Sequence, residues 1–80
     1  MNTERVASVI NEWDPIDLMS FSPTDEYEVE IKMISEKMDS CSTAEELARE
    51  IHDIFQRQFR TQFDKSLIEC LEIAEKLMGR

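Results

Sequence analysis

The 80-residue sequence contains one glycine and two prolines, and its apolar runs are no longer than two or three residues. Turns between β-strands depend on glycine and proline, so their scarcity argues against a β-sheet. A membrane-spanning helix needs about 20 consecutive apolar residues, which this sequence lacks. The apolar fraction of 41% and the charged fraction of 34% are typical of a folded helical protein. We therefore expect an all-α fold with a single domain over residues 1–80, because so short a chain organises one core.

Residues that carry chemistry are also few. Two cysteines, Cys41 and Cys70, cannot build a disulfide scaffold, and the single histidine, His52, has no partner at a spacing known from metal or nucleophilic motifs. One glycine cannot supply a glycine-rich phosphate loop. The sequence therefore predicts no enzyme, no metal site and no cofactor. The N-terminus lacks the basic and apolar regions of a secretory signal, and cysteines in a cytosolic chain stay reduced, so we expect a cytoplasmic protein.

Basic residues are outnumbered two to one. Nine Lys and Arg face eighteen Asp and Glu, which gives a net charge of −9, and residues 1–40 carry 3 basic and 10 acidic side chains. Nucleic acids and anionic membranes are bound through Lys and Arg, so both are disfavoured as partners. A basic protein is the natural complement of such a chain.

Three predicted helix starts repeat one pattern, in which a capping side chain is followed three residues later by an acid. The segments are Asp14-Pro15-Ile16-Asp17, Ser22-Pro23-Thr24-Asp25 and Ser42-Thr43-Ala44-Glu45. With apolar residues at helical spacing, they predict a small bundle of three to four helices with a short extra helical turn after the first helix. The predicted ranges are 3–12 for the first helix, about 15–20 for the short turn, 23–39 for the second helix and 43–60 for the third. A break near 61–64 is favoured before the last helix, and a single bent helix over 43–78 is the alternative, because residues 58–65 contain neither proline nor glycine.

The densest local feature is a cluster of acidic residues around Tyr27. Asp25 and Glu26 precede this tyrosine and Glu30 follows it, and the Trp13-Asp14 pair lies upstream. One hypothesis is a docking surface for a basic partner. The alternatives are a solvated acidic helix N-terminus, favoured by the helix dipole, and a tryptophan that packs under the turn that follows it. The candidate partner-binding residues are Trp13, Asp14, Asp25, Glu26, Tyr27 and Glu30.

Four segments carry a resemblance to a known family: NEWDPI at residues 11–16, DEY at 25–27 followed by Glu30-Ile31, EELA at 45–48 and CLEIA at 70–74. Together they resemble the YugE-like family of small helical bacterial proteins, a domain of unknown function. The resemblance implies an all-α fold and a cytosolic setting. It implies no activity and no catalytic residue, and it directs attention to the motifs around Trp13 and Tyr27, for folding or for binding.

Three functions stay open at this point. The first is an interaction module that presents its acidic face to a basic partner, for instance an inhibitor of a basic toxin nuclease. The second is a bundle that pairs with itself through apolar residues off the main stripes, namely Val29, Ile68 and Ile73. The third is a metal or small-ligand binder, or an enzyme, built on Trp13, Tyr27 and the nearby acids.

Overall fold

A computed structural model describes residues 3–16 and 27–79. Within these residues it contains α-helices α1 (Thr3–Trp13), α2 (Glu28–Met38), α3 (Ala44–Phe59) and α4 (Leu67–Leu77), a 3-10 helix (Arg60–Gln62) and no strand. The expected all-α bundle is confirmed. None of the described helices is long and apolar enough to cross a membrane.

Helix α3 forms the centre of the bundle. It packs against α4, α2 and the 3-10 helix, while α1 packs against α2 and α4. Each helix buries residues three or four positions apart, which is the spacing that puts side chains on one helical face. The core consists of Val6, Ile10, Tyr27, Ile31, Ile34, Ala44, Leu47, Ala48, Ile51, Ile54, Phe55, Phe63, Cys70, Ile73, Ala74 and Leu77.

Helix α3 begins with a capping box that lies one residue later than the sequence pattern predicts. Thr43 is the N-cap residue, and its hydroxyl accepts a hydrogen bond from the Glu46 backbone N–H at 3.2 Å. The Glu46 carboxylate in turn accepts from the backbone N–H of Thr43 and, at 2.7 Å, from that of Ser42. Because one carboxylate satisfies two backbone donors, the helix starts at Ala44 and not at Thr43.

The predicted break between the last two helices is confirmed. Arg60 adopts a φ of 53°, which L-residues rarely take, and the chain then makes the 3-10 helix. Ser66 caps α4 by accepting from the Glu69 backbone N–H at 3.2 Å. Gly79, with a φ of 79°, follows the last turn and donates its N–H to Lys76 O, as a glycine at the C-terminal end of a helix commonly does.

The sequence predicts an inward stripe on the last helix, consisting of Phe63, Leu67, Cys70, Leu71, Ala74, Leu77 and Met78. The buried face of α4 differs from this prediction at two positions. Leu67, expected inside, is 47% exposed, while Ile73, expected to be left over for self-association, is 5% exposed. Leu67 is exposed because it is the N-terminal residue of α4. Ile73 is three residues after Cys70 and four before Leu77, which places it on the core face.

Helix α2 begins at Glu28, with Tyr27 as its N-cap residue, and the predicted helix start at Pro23 lies outside the described residues. The predicted box at residues 22–25 lies outside the described residues, as does all of the predicted helical turn beyond Ile16. Asp25 and Glu26, two of the candidate partner-binding residues, also lie outside them.

Candidate functional site

Trp13, Asp14 and Tyr27 are brought together where α1 ends and α2 begins. The Tyr27 hydroxyl donates a hydrogen bond to Asp14 Oδ1 at 2.5 Å and accepts one from the Ile16 backbone N–H at 3.1 Å. The Tyr27 side chain is 1% exposed. Since a buried hydroxyl needs partners, these bonds hold the chain after α1 against the start of α2.

Asp14 ends α1 in an uncommon backbone conformation. Its N–H donates to Ile10 O at 2.8 Å, and its φ is 48°. Aspartate tolerates this region better than most residues, because its short polar side chain can form local hydrogen bonds. The next residue is Pro15, which has no N–H to continue the helix. The motif Trp13-Asp14-Pro15 therefore turns the chain sharply away from α1.

Trp13 and Tyr27 both contact Phe55, the aromatic residue at the centre of the core. The Trp13 and Phe55 ring centroids are 5.7 Å apart and those of Tyr27 and Phe55 are 5.8 Å apart, both edge to face. Phe55 also stacks on Phe59 at 5.8 Å and on Phe63 at 5.5 Å. Edge-to-face and offset-stacked pairs add stability beyond the area that they bury. Both motifs that the sequence singles out thus take part in packing.

Glu30 lies in the protein interior, contrary to its expected place on a solvated acidic face. Its side chain is 5% exposed. Burial raises the pKa of the Glu30 carboxyl above its ordinary value of 4.5, and a hydrogen bond with its own backbone partly offsets this. Glu30 follows Tyr27 by three residues and precedes Ile34 by four, so it shares their buried face. Its spacing from these two core residues was the signal that sequence reasoning missed.

Replacing Glu30 with glutamine is expected to stabilise the fold at pH 7. A carboxyl whose folded-state pKa is raised destabilises the fold when charged, and this penalty disappears below the ordinary pKa. The advantage of Glu30→Gln should therefore shrink as the pH falls through the raised pKa towards 4.5. Urea unfolding at several pH values measures it, with the exposed Glu36→Gln as the control. A glutamine variant that is less stable at pH 7 would contradict the expectation.

Neither cysteine has the surroundings of a reactive thiol. Burial, followed by the negative charge of Glu69, raises the pKa of Cys70 to about 11. The pKa of Cys41 is also raised, by burial and then by Glu50 and Glu46, with Lys37 opposing. Reactivity depends on the thiolate, so both thiols are held in their less reactive form. In the described part of the chain, no three His, Cys, Asp or Glu side chains are grouped so as to hold a metal ion.

Beside Trp13, a shallow depression of about 500 Å³ lies between α1 and α4. Trp13 lines this depression and is half-buried. Five residues of α4 line the rest of the depression. They are the three acids Glu69, Glu72 and Glu75, the cation Lys76 and the apolar Ile73. An indole ring beside several carboxylates is a chemical environment that favours a cationic side chain.

This acidic depression was not predicted from the sequence. The four α4 residues Glu69, Glu72, Glu75 and Lys76 follow one another at intervals of three, three and one, as exposed helical positions do. Only the packing of α1 beside α4 brings Trp13 to them. Of the six predicted partner-binding residues, Trp13 is thus at a surface site, Asp14 and Tyr27 bond to each other, and Glu30 is buried.

Comparison with known proteins identifies a family for the chain. The profile of a family described as "Domain of unknown function (DUF1871)" matches residues 5–79. No curated protein and no solved structure matches the chain. The match includes α1 from Arg5 onward, all of α2, α3 and α4, and both motifs around Trp13 and Tyr27. The chain belongs to the DUF1871 family.

Proposed function

We propose that this protein is a non-enzymatic interaction module that docks a basic protein partner through the acidic surface of α4 around Trp13. The observation that carries the proposal is the depression in which the half-buried Trp13 meets Glu69, Glu72 and Glu75, with Lys76 as the one cation among the described residues that line it. A net charge of −9 favours the same class of partner.

An arginine or lysine side chain of the partner fits this depression chemically. Its charge would lie over the face of the Trp13 ring and pair with the carboxylates of Glu69 and Glu72. Cation–π contacts strengthen where the cation is shielded from water, and a half-buried ring gives partial shielding. Arginine suits the site better than lysine, because its planar guanidinium both stacks on aromatic rings and binds carboxylates through two bonds.

The proposal keeps Trp13 from the predicted set and assigns different tasks to the others. Asp14 and Tyr27 contribute by holding the end of α1, and with it Trp13, in place. Asp25 and Glu26, which precede Tyr27 in the sequence, contribute to the net negative charge of the chain. The free thiols of Cys41 and Cys70 are consistent with work in a reducing compartment, so we propose the cytoplasm. The resemblance to YugE-like proteins contributes no activity to this proposal.

Neutralising two carboxylates of the depression is expected to abolish partner capture. The test is a pull-down from native cell lysate with the wild type and with Glu69→Gln/Glu72→Gln, at low and at high salt, with the captured proteins identified by mass spectrometry. Glutamine at position 69 keeps the shape of the residue in the first turn of α4. We expect one basic protein that is lost at high salt and is reduced at least tenfold in the variant, since charge pairs at the edge of an interface are screened by salt.

The matched control is Glu36→Gln/Asp39→Asn, which removes the same charge from exposed positions at and just after the C-terminal end of α2. It should capture the partner nearly as well as the wild type does. Equal loss in both variants would mean that net charge alone attracts the partner. Equal retention in both, or capture that ignores salt, would contradict the proposal.

A further inference from the structure

A second surface of α4, on the side that faces α3, combines exposed apolar residues with a groove. Ile68 is 73% exposed and Leu67 is 47% exposed, and both are among the most exposed large apolar side chains of the described residues. Next to them is a groove of about 170 Å³, lined by Glu45, Ala48, Arg49, Leu67, Ile68 and Leu71. A protruding apolar side chain and an apolar groove therefore lie side by side on one surface.

The charges at the edge of this groove are also self-complementary. Glu45 and Arg49 are one turn apart on α3, and neither forms an ion pair within the described part of the chain. In a two-fold symmetric pair, every contact between residue i and residue j occurs twice. Placed about such an axis, Arg49 of each copy meets Glu45 of the other.

We propose that this groove binds a second copy of the same chain, as a two-fold symmetric dimer. Ile68 of each copy enters the groove of the other, against Ala48 and Leu71, and the two Arg49–Glu45 pairs close the edges. This surface is distinct from the acidic depression, which lies on the α1 side of α4, so the dimer does not depend on the proposed function. Each chain carries a net charge of −9, so the two copies repel each other. This repulsion makes the dimer weak and dependent on concentration.

Salt separates this dimer from the docking of a basic partner. Added salt screens the repulsion between two acidic chains, whereas it weakens the attraction between an acidic and a basic chain. The dimer should therefore persist at salt concentrations that release the basic partner. Its contact is mainly apolar, and burial of apolar surface is little affected by screening.

Sedimentation equilibrium of the purified chain, from about 10 µM to about 1 mM, tests the proposal over the range expected of a weak pair. The average mass should rise towards twice that of the monomer. Ile68→Glu should weaken the dimer at least tenfold, because it places a charge in the apolar contact. The control Val29→Glu should not, since Val29 is similarly exposed but lies on α2, which does not contact α4.

The charges provide the second readout. Arg49→Glu should weaken the dimer, and adding Glu45→Arg in the same chain should restore it, because the two pairs then form with reversed polarity. Circular dichroism checks that each variant keeps its helices. A monomer at every concentration, or equal weakening by Ile68→Glu and Val29→Glu, would overturn the proposal. Failure of the charge swap to restore the dimer would overturn the two-fold arrangement.

Discussion

Replacing Phe55 with alanine is expected to lower the free energy of unfolding by about 3–5 kcal/mol, the usual cost of removing a buried phenylalanine. Phe55 is fully buried and its ring contacts Trp13, Tyr27, Phe59 and Phe63. The substitution leaves a cavity between four aromatic rings, and these rings cannot move far enough to fill it. Domains of this size have a total stability of only about 4–12 kcal/mol, so the substitution should remove a large share of it.

Urea unfolding followed by circular dichroism measures this effect. The matched control is Phe59→Ala, which removes the same ring from a half-buried position that stacks on Phe55 from one side. Its loss should be clearly smaller, because less apolar area leaves the core. Equal losses for the two variants, or a loss below about 1 kcal/mol for Phe55→Ala, would contradict the central place given to this ring.

Removing the hydroxyl of Tyr27 is expected to cost about 1–3 kcal/mol. Tyr27→Phe keeps the ring against Phe55 but removes the hydroxyl that donates to the Asp14 carboxylate and accepts from the Ile16 N–H. The site is partly buried, so water replaces these partners poorly. Each kcal/mol lowers the melting temperature by about 4–8 °C in a domain of this size, which thermal unfolding detects easily.

A double-mutant cycle shows whether the loss belongs to the Tyr27–Asp14 bond. Asp14→Ala alone removes the acceptor, and it also lowers the stability because alanine is strained at a φ of 48°. If the two groups act together, the double variant should lose less than the sum of the two single losses. Asp14→Asn, which keeps an acceptor oxygen and tolerates this backbone, should cost least. Additive losses, or a Tyr27→Phe variant within about 0.5 kcal/mol of the wild type, would argue against the bond.

Local signals in the sequence predict most of the helices, since each depends on residues close together in the chain. The break after α3 is an exception, because residues 58–65 contain neither proline nor glycine and the apolar spacing of four residues continues from Phe55 through Phe63 to Leu67. Two helices and one bent helix therefore both fitted the sequence. The capping box of α3 was misplaced by one residue for an equally local reason. Ser42 and Thr43 are both good caps, and each has a glutamate three residues later. Only the bonds of Glu46 distinguish the two.

Contacts between distant residues could not be predicted in this way. Tyr27 and Asp14 are 13 residues apart, and no periodicity links a residue at the end of one helix to one at the start of the next. The acidic depression combines Trp13 of α1 with residues of α4, more than fifty positions later in the chain. The sequence located the motifs around Trp13 and Tyr27, but their division into packing and surface roles required the tertiary fold.

The emission of Trp13, the single tryptophan of the chain, tests the proposed docking surface most directly. The wild type, Glu69→Gln/Glu72→Gln and Glu36→Gln/Asp39→Asn are each titrated at low salt with a short arginine-rich peptide. Docking in the depression predicts a saturable change in emission for the wild type and for the α2 variant, and little change for the α4 variant. No change in the wild type, or the same response in all three proteins, would contradict a cation-binding surface at Trp13.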